Sequence, residues 1–94
     1  MKTINKTKLE QLLQKGALLV DIRSPVDFRN AHINGSVNLP LRNFINKIMS
    51  MPKNSAIVIY SNASNDSDLT QGINYAENLG FTNLFIGEFK HLKE

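Results

Sequence analysis

Apolar residues are arranged along this chain in two alternating patterns. Continuous apolar runs fill residues 17–22 (Ala17, Leu18, Leu19 and Val20, broken only by Asp21 before Ile22) and 56–60 (Ala56, Ile57, Val58, Ile59, Tyr60), and Leu84, Phe85 and Ile86 after Asn83 make a last one within 83–86. Short unbroken runs of this kind predict strands covered on both faces, as in a parallel sheet. Between them the apolar positions fall at helical spacing. Leu9, Leu12 and Leu13 share one face of a helix that Asn5 or Thr7 caps and that Lys15 and Gly16 close. Ser24 before Pro25 opens a short helix through Val26, Phe28 and Arg29 that ends near Ala31. Leu41, Phe44, Ile45 and Ile48 predict an amphipathic helix over 41–49, and Leu69, Gly72, Ile73 and Ala76 predict another over 67–79, stopped by Gly80. His32, Ile33, Asn34 and Gly35 turn the chain into a short alternating strand at 36–39 that Pro40 ends. Residues 1–4 can add an edge strand, Gly87 reads as a turn, and residues 88–93 as a last helical turn.

Strands alternating with helices predict an α/β fold, with a central mainly parallel sheet of about five short strands and helices on both faces. If the strands at 17–22 and 56–60 run parallel, their carboxyl ends share one edge of the sheet, where open α/β sheets bind ligands. Asp21 to Pro25 would then face the small polar loop of Ser61, Asn62, Ala63, Ser64, Asn65, Asp66 and Ser67. Such a loop, between a buried strand and a helix start, presents backbone N–H groups where the helix dipole favours negative charge. That is the geometry of an anion cradle, yet the loop holds no cysteine, histidine, lysine or arginine, and Asp66 and Asp68 stand where an anion would sit.

Composition narrows the classes. The 94 residues make one domain, 1–94, and 20% charged with 41% hydrophobic residues is ordinary for a globular chain. The net charge of +3 and a pI near 9.4 permit mild attraction to acidic partners. The lysines form no basic run and no aromatic residues interleave with them, so no nucleic-acid partner is expected. The absence of cysteine excludes disulfides, thiolate chemistry and cysteine-based zinc sites. Asp66 and Asp68 lack the spacing of a calcium loop, and neither a metal nor a cofactor is expected. No apolar run reaches the ~20 residues of a membrane span, and no signal-peptide core is present, so the expectation is a cytoplasmic monomer without membrane contact.

Two stretches resemble the rhodanese-like domains. Leu19, Val20, Asp21 and Arg23 give the family's hydrophobic-Asp-x-Arg strand end, Asp27 and Phe28 an acidic-aromatic pair, and His32 and Ile33 a His-Ile turn. Gly35, Ser36, Asn38 and Pro40 complete the first signature as a Gly-small-x-Asn-x-Pro strand. The second stretch, 57–87, follows the family's order of strand, active-site loop and helix, with Gly80, Phe81, Thr82, Asn83, Leu84 and Phe85 before a glycine. Together they cover nearly the whole chain. The resemblance implies a three-layer α/β/α fold and sulfur transfer from thiosulfate or another persulfide donor. That chemistry uses a loop cysteine held as a persulfide by backbone N–H groups, often with an arginine at the loop's far end.

Here the family's cysteine position falls on Ser61 and its arginine position on Asp66. Sulfur transfer needs a thiolate, whose pKa of ~8.5 a helix N-terminus lowers; a serine hydroxyl is a far weaker acid and cannot carry a persulfide. Asp66 repels the anion that arginine would clamp. The related phosphatases of this fold need the same two residues. The reading that follows is a domain without a catalytic residue that binds an unknown protein partner or small ligand through the loop, in a binding or regulatory role. The alternative is a sulfurtransferase-family enzyme with residual or partner-assisted activity. Ser61 reads as a hydrogen-bonding loop serine, Asp66 and Asp68 as helix-capping and dipole-matching residues, His32 as a structural hydrogen bonder, and Asp21 with Arg23 as supports of the loop. Phe81, Phe85 and Phe89 read as core and rim packing, and Asp27 and Arg29 as a solvated helix face.

Overall fold

Capping chemistry starts the first two helices of the computed structural model, which describes residues 1–93. The Asn5 side chain accepts from the backbone N–H of Lys8 at 2.9 Å and opens α1 (Lys6–Gln14). Gly16, at φ +89°, ends it in the left-handed region that favours glycine. Ser24 accepts from the N–H of Asp27 at 3.2 Å and, with Pro25 in the first turn, opens α2 (Pro25–Asn30). The remaining helices are α3 (Leu41–Ile48), α4 (Ser67–Asn78) and the single turn α5 (Phe89–Leu92). None of the described helices is long and apolar enough to cross a membrane.

The apolar runs become β1 (Leu18–Asp21), β3 (Ile57–Ser61) and β4 (Leu84–Glu88), joined by the two-residue β2 (Val37–Asn38) in one parallel sheet of order β2-β1-β3-β4. All five residues of β3 are buried. Its side chains alternate between two cores, because successive residues of a strand point to opposite faces. Ile57 and Ile59 pack with Val20, Phe44, Ile48, Leu69 and Ile73 under α3 and α4. Val58 and Tyr60 pack with Leu9, Leu12, Leu19 and Leu92 under α1 and α5. Each such apolar side chain contributes about 1.5–3 kcal/mol on leaving water, so a strand buried on both faces anchors both layers.

The sheet departs from the sequence pattern at two places. The sheet has four strands among the described residues, rather than about five: the amino-terminal segment contributes an isolated bridge, Thr3 beside Ile86, with the Ile4 N–H donating to the Ile86 carbonyl at 2.9 Å. Gly87 is not a turn but lies inside β4, where a Cβ would stand 2.6 Å from Leu92 Cδ1. Gly72 in α4 brings the helix close to Phe44 of α3 as well as to Ile22 just after β1, a Cβ there meeting them at 3.3 and 3.1 Å.

From β1 the chain moves outward to β2, then crosses back to place β3 on the other side of β1. The carboxyl ends of β1 and β3 therefore flank the point where the winding reverses, the place where parallel sheets open a crevice.

Candidate functional site

Asp21 and Tyr60 lie side by side in the β1 and β3 register, and Ser61 follows opposite Glu88 of β4. Four polar side chains thus reach the carboxyl edge of the sheet from three adjacent strands. What each does there is set by how deeply it is buried.

Asp21 is fully buried and Arg23 only 7% exposed. The Arg23 Nε donates to both Asp21 carboxylate oxygens at 3.0 and 3.1 Å, and Nη2 to Asp21 Oδ2 at 2.7 Å. Burial works to lower the Arg23 pKa, and the hydrogen bonds and charge of Asp21 outweigh it, holding the guanidinium above its ordinary value. The same guanidinium donates to the Ala31 carbonyl at 2.6 Å and to Asn62 Oδ1 at 3.3 Å, and lies 4.2 Å from the ring centre of Phe89. One side chain therefore ties the end of β1 to the loop after β3, to the turn after α2 and to α5. Asn38 completes the support from β2, donating to the carbonyls of Asp21 and Arg23 at 3.0 and 2.9 Å. Tyr60 fixes the neighbouring turn: its hydroxyl accepts from the Ile33 N–H and shares a hydrogen bond with Ser36, each at 3.0 Å.

Ser61 belongs to the strand rather than to the loop: it is the last residue of β3 and has no exposed surface. Its hydroxyl donates to Asp66 Oδ2. Asp66 occupies the N-cap position of α4, but its carboxylate makes no cap bond and turns back to Ser61 instead. Asp68, in the first turn of α4, stands with Asp66 at the positive end of the helix dipole. Between them Asn62, Ser64 and Asn65 are exposed and Ala63 is half-buried. Asn62 also donates to Asp27 Oδ2 at 3.3 Å, so Asp27 is half-buried against the loop rather than fully solvated.

A residue that the sequence pattern passes over closes the loop from the other side. Glu88 accepts from the Ser64 N–H at 2.7 Å and pairs with His91 at 3.3 Å. The Ser64 N–H holds the Glu88 carboxyl below the ordinary carboxylate range. The signal for Glu88 is its register opposite Ser61, which is visible only once β4 is carried through Gly87. His32 stands away from this edge, its Nδ1 donating to the Phe28 carbonyl at 2.8 Å and its ring stacked 3.8 Å from that of Phe28.

Chemically, this edge has carboxylates where an oxyanion site needs donors. Asp66 takes the Ser61 hydroxyl and Glu88 takes a loop N–H, so two of the groups a bound anion would use are spent inside the chain. Asp66 touches Ser61, but a carboxylate is a feeble base for a hydroxyl. Among the described residues no three acidic or histidine side chains converge as metal ligands would.

The comparisons with known proteins agree with this architecture. A human single-domain sulfurtransferase superposes with a TM-score of 0.75 at 20% identity, covering 97% of this chain and 94% of that one. A rhodanese with anions from E. coli gives 0.69 at 24% identity over 81% of this chain and 91% of its own. A rhodanese-related protein from Thermoplasma volcanium gives 0.71 at 19% identity over 95% and 85%. At these identities the likeness establishes the fold, a three-layer α/β/α arrangement. A curated relative, the tRNA 2-selenouridine synthase of Bdellovibrio bacteriovorus, is 42% identical over 43 residues, 46% of this chain. The matched segment spans only 11% of that protein's length. The family model described as Rhodanese-like domain matches residues 5–88, from the cap of α1 to the glutamate that closes the loop, and the chain belongs to the rhodanese-like domain family.

Proposed function

We propose that this rhodanese-like domain is non-catalytic and acts as a binding or regulatory module, taking a partner protein or small ligand at the exposed loop residues Asn62, Ser64 and Asn65. The observation that carries the reading is the hydrogen bond from Ser61 to Asp66. At the position of the family's persulfide-bearing cysteine stands a buried hydroxyl, and the residue at the family's arginine position is the acid that holds it. Sulfur transfer requires a nucleophile that can form and break an S–S bond, and the sequence contains no cysteine. The support around the loop is nevertheless in place: Arg23 and Glu88 bond to it directly, and Asn38 of β2 holds the backbone at Asp21 and Arg23. A rigid loop with exposed amide side chains and no reactive group suits recognition better than turnover.

The test is thiosulfate:cyanide sulfurtransferase activity of the purified protein beside a Ser61→Cys, Asp66→Arg double variant. The expected result is no turnover by the wild type and measurable turnover by the variant, whose thiolate would sit at a helix start beside a donor-lined loop. Turnover of thiosulfate by the wild type overturns the proposal.

A further inference from the structure

A second concave feature lies away from the loop. It is an open groove of about 450 Å³ between α1, α5 and the turn after α2. Leu9, Leu13, Ile33 and Leu92 form its floor, and Lys6, Lys93 and His32 stand on its rim. Glu10 is the single acid that lines it. Among the described residues the ion pairs are Arg23 with Asp21 and His91 with Glu88, so Lys6 and Lys93 enter none. Because the Phe28 carbonyl takes the His32 Nδ1 proton, the Nε2 of that ring is left for the groove.

Charge is distributed unevenly around this groove. The segments that carry its helical walls, 1–15 and 88–94, hold six lysines against three glutamates, which accounts for the whole net charge of +3. The intervening residues, 16–87, hold five basic against five acidic side chains. A concave apolar floor beneath a local excess of positive charge selects a ligand of the opposite character: aliphatic in the middle, acidic at the ends.

We propose that the groove docks a short acidic segment of a partner protein, one or two aliphatic side chains resting on the leucine floor and flanking carboxylates facing Lys6 and Lys93. The shape argues against the other acidic partners. The large hydrophobic residues that stand exposed are Met1, Val26, Val37 and Met49, and none of them lines the groove, so a flat lipid surface meets its charges without reaching its floor. No Phe, Tyr or Trp lines it, so nucleic-acid bases find no stacking platform. A volume of this size falls within the usual range of ligand sites, about 300–1,000 Å³, and fits a few side chains rather than a whole domain.

The experiment is an amide NMR titration of the full chain with a blocked hexapeptide, Asp-Glu-Leu-Leu-Glu-Asp. Two control peptides replace the leucines by serine or the acids by lysine, and phosphatidylserine vesicles form a separate arm. The expected result is saturable shifts at Leu9, Leu13, Ile33, Asn34 and Leu92, absent with both control peptides. A Lys6→Glu, Lys93→Glu variant with an otherwise unchanged spectrum should bind about tenfold more weakly or worse, the scale of two rim charge pairs. Shifts centred on residues 61–67, binding indifferent to the charge reversal, or binding to vesicles with the peptide silent would each overturn the assignment.

Discussion

At the scale of single residues, the buried phenol of Tyr60 ties stability to pH. Tyr60 has no exposed surface, and burial pushes its phenol up to about 12, with the hydrogen bonds from Ser36 and Ile33 pulling the other way without prevailing. The folded pKa lies above the ordinary value of about 10. Its contribution is therefore complete below about pH 10 and is lost as pH rises towards 12, because the unfolded chain gives up the proton first. At about pH 11.5 the loss amounts to about 2 kcal/mol. Urea unfolding of the wild type and of Tyr60→Phe at about pH 8 and about pH 11.5 measures it: the variant should lose less stability between the two values. An equal loss in both proteins would show that the phenol does not titrate as its burial requires. Tyr60 does not declare this role in the sequence. The pattern around Asp21 and Arg23 points to support of the neighbouring loop, and the geometry adds partners that no spacing rule contains. The Ala31 carbonyl and the Phe89 ring come from distant elements that only the fold brings to the guanidinium. Asp66 is the opposite lesson. A carboxylate before a helix reads as a cap, but here the hydroxyl of Ser61 competes for it and wins, since that hydroxyl is buried and has to be paired.

Among elements, the helices and the buried strands were readable because each carries its own signal, a cap, a glycine stop or an unbroken apolar run. Asn5, Ser24, Gly16 and Gly80 act where the local chemistry puts them. The junction of β4 and α5 was not readable, because its glycine serves a tertiary contact. Gly87 suggests a turn by composition, but the strand runs through it to Glu88, and what requires glycine is the fully packed Leu92 folded back over it. The contact decides whether α5 can lie on the sheet at all, since Leu92 is the one buried residue of that helix. Gly87→Ala should cost about 1–3 kcal/mol, the usual penalty of forcing atoms into a filled site. Leu92→Ala alone should cost about 2–5 kcal/mol. In the double variant the space left by Leu92 accepts the new methyl, so the two losses should fall short of adding, by about 0.5–3 kcal/mol. Strict additivity in denaturant unfolding would mean that the two residues do not meet as the structure has them.

For the molecule as a whole, stability and loop chemistry are carried by separate parts. The two cores lie along the sheet between α3 and α4 on one face and α1 and α5 on the other, whereas the loop rests on polar ties at the carboxyl edge. A change in the loop can therefore alter its chemistry without dismantling the fold, which is how a scaffold of this family can persist around a loop without a cysteine. The same separation makes anion binding visible as added stability, because a ligand that prefers the folded state raises it by RT ln(1 + [L]/Kd). The net charge of +3 draws anions to the molecule in general, but at the loop Asp66 and Glu88 already occupy the Ser61 hydroxyl and the Ser64 N–H. Titrating the wild type with sodium thiosulfate should therefore raise its melting temperature only gradually and without saturation, the behaviour of a salt excluded from protein surface. The Ser61→Cys, Asp66→Arg variant frees the cradle and adds a cation, so its curve should saturate. At about ten times Kd the gain is about 1.4 kcal/mol, or on the order of 5 °C and more for a domain of this size. A saturable rise in the wild type would mean that the loop admits an anion despite its two carboxylates, and that their hydrogen bonds open for a ligand instead of closing the site.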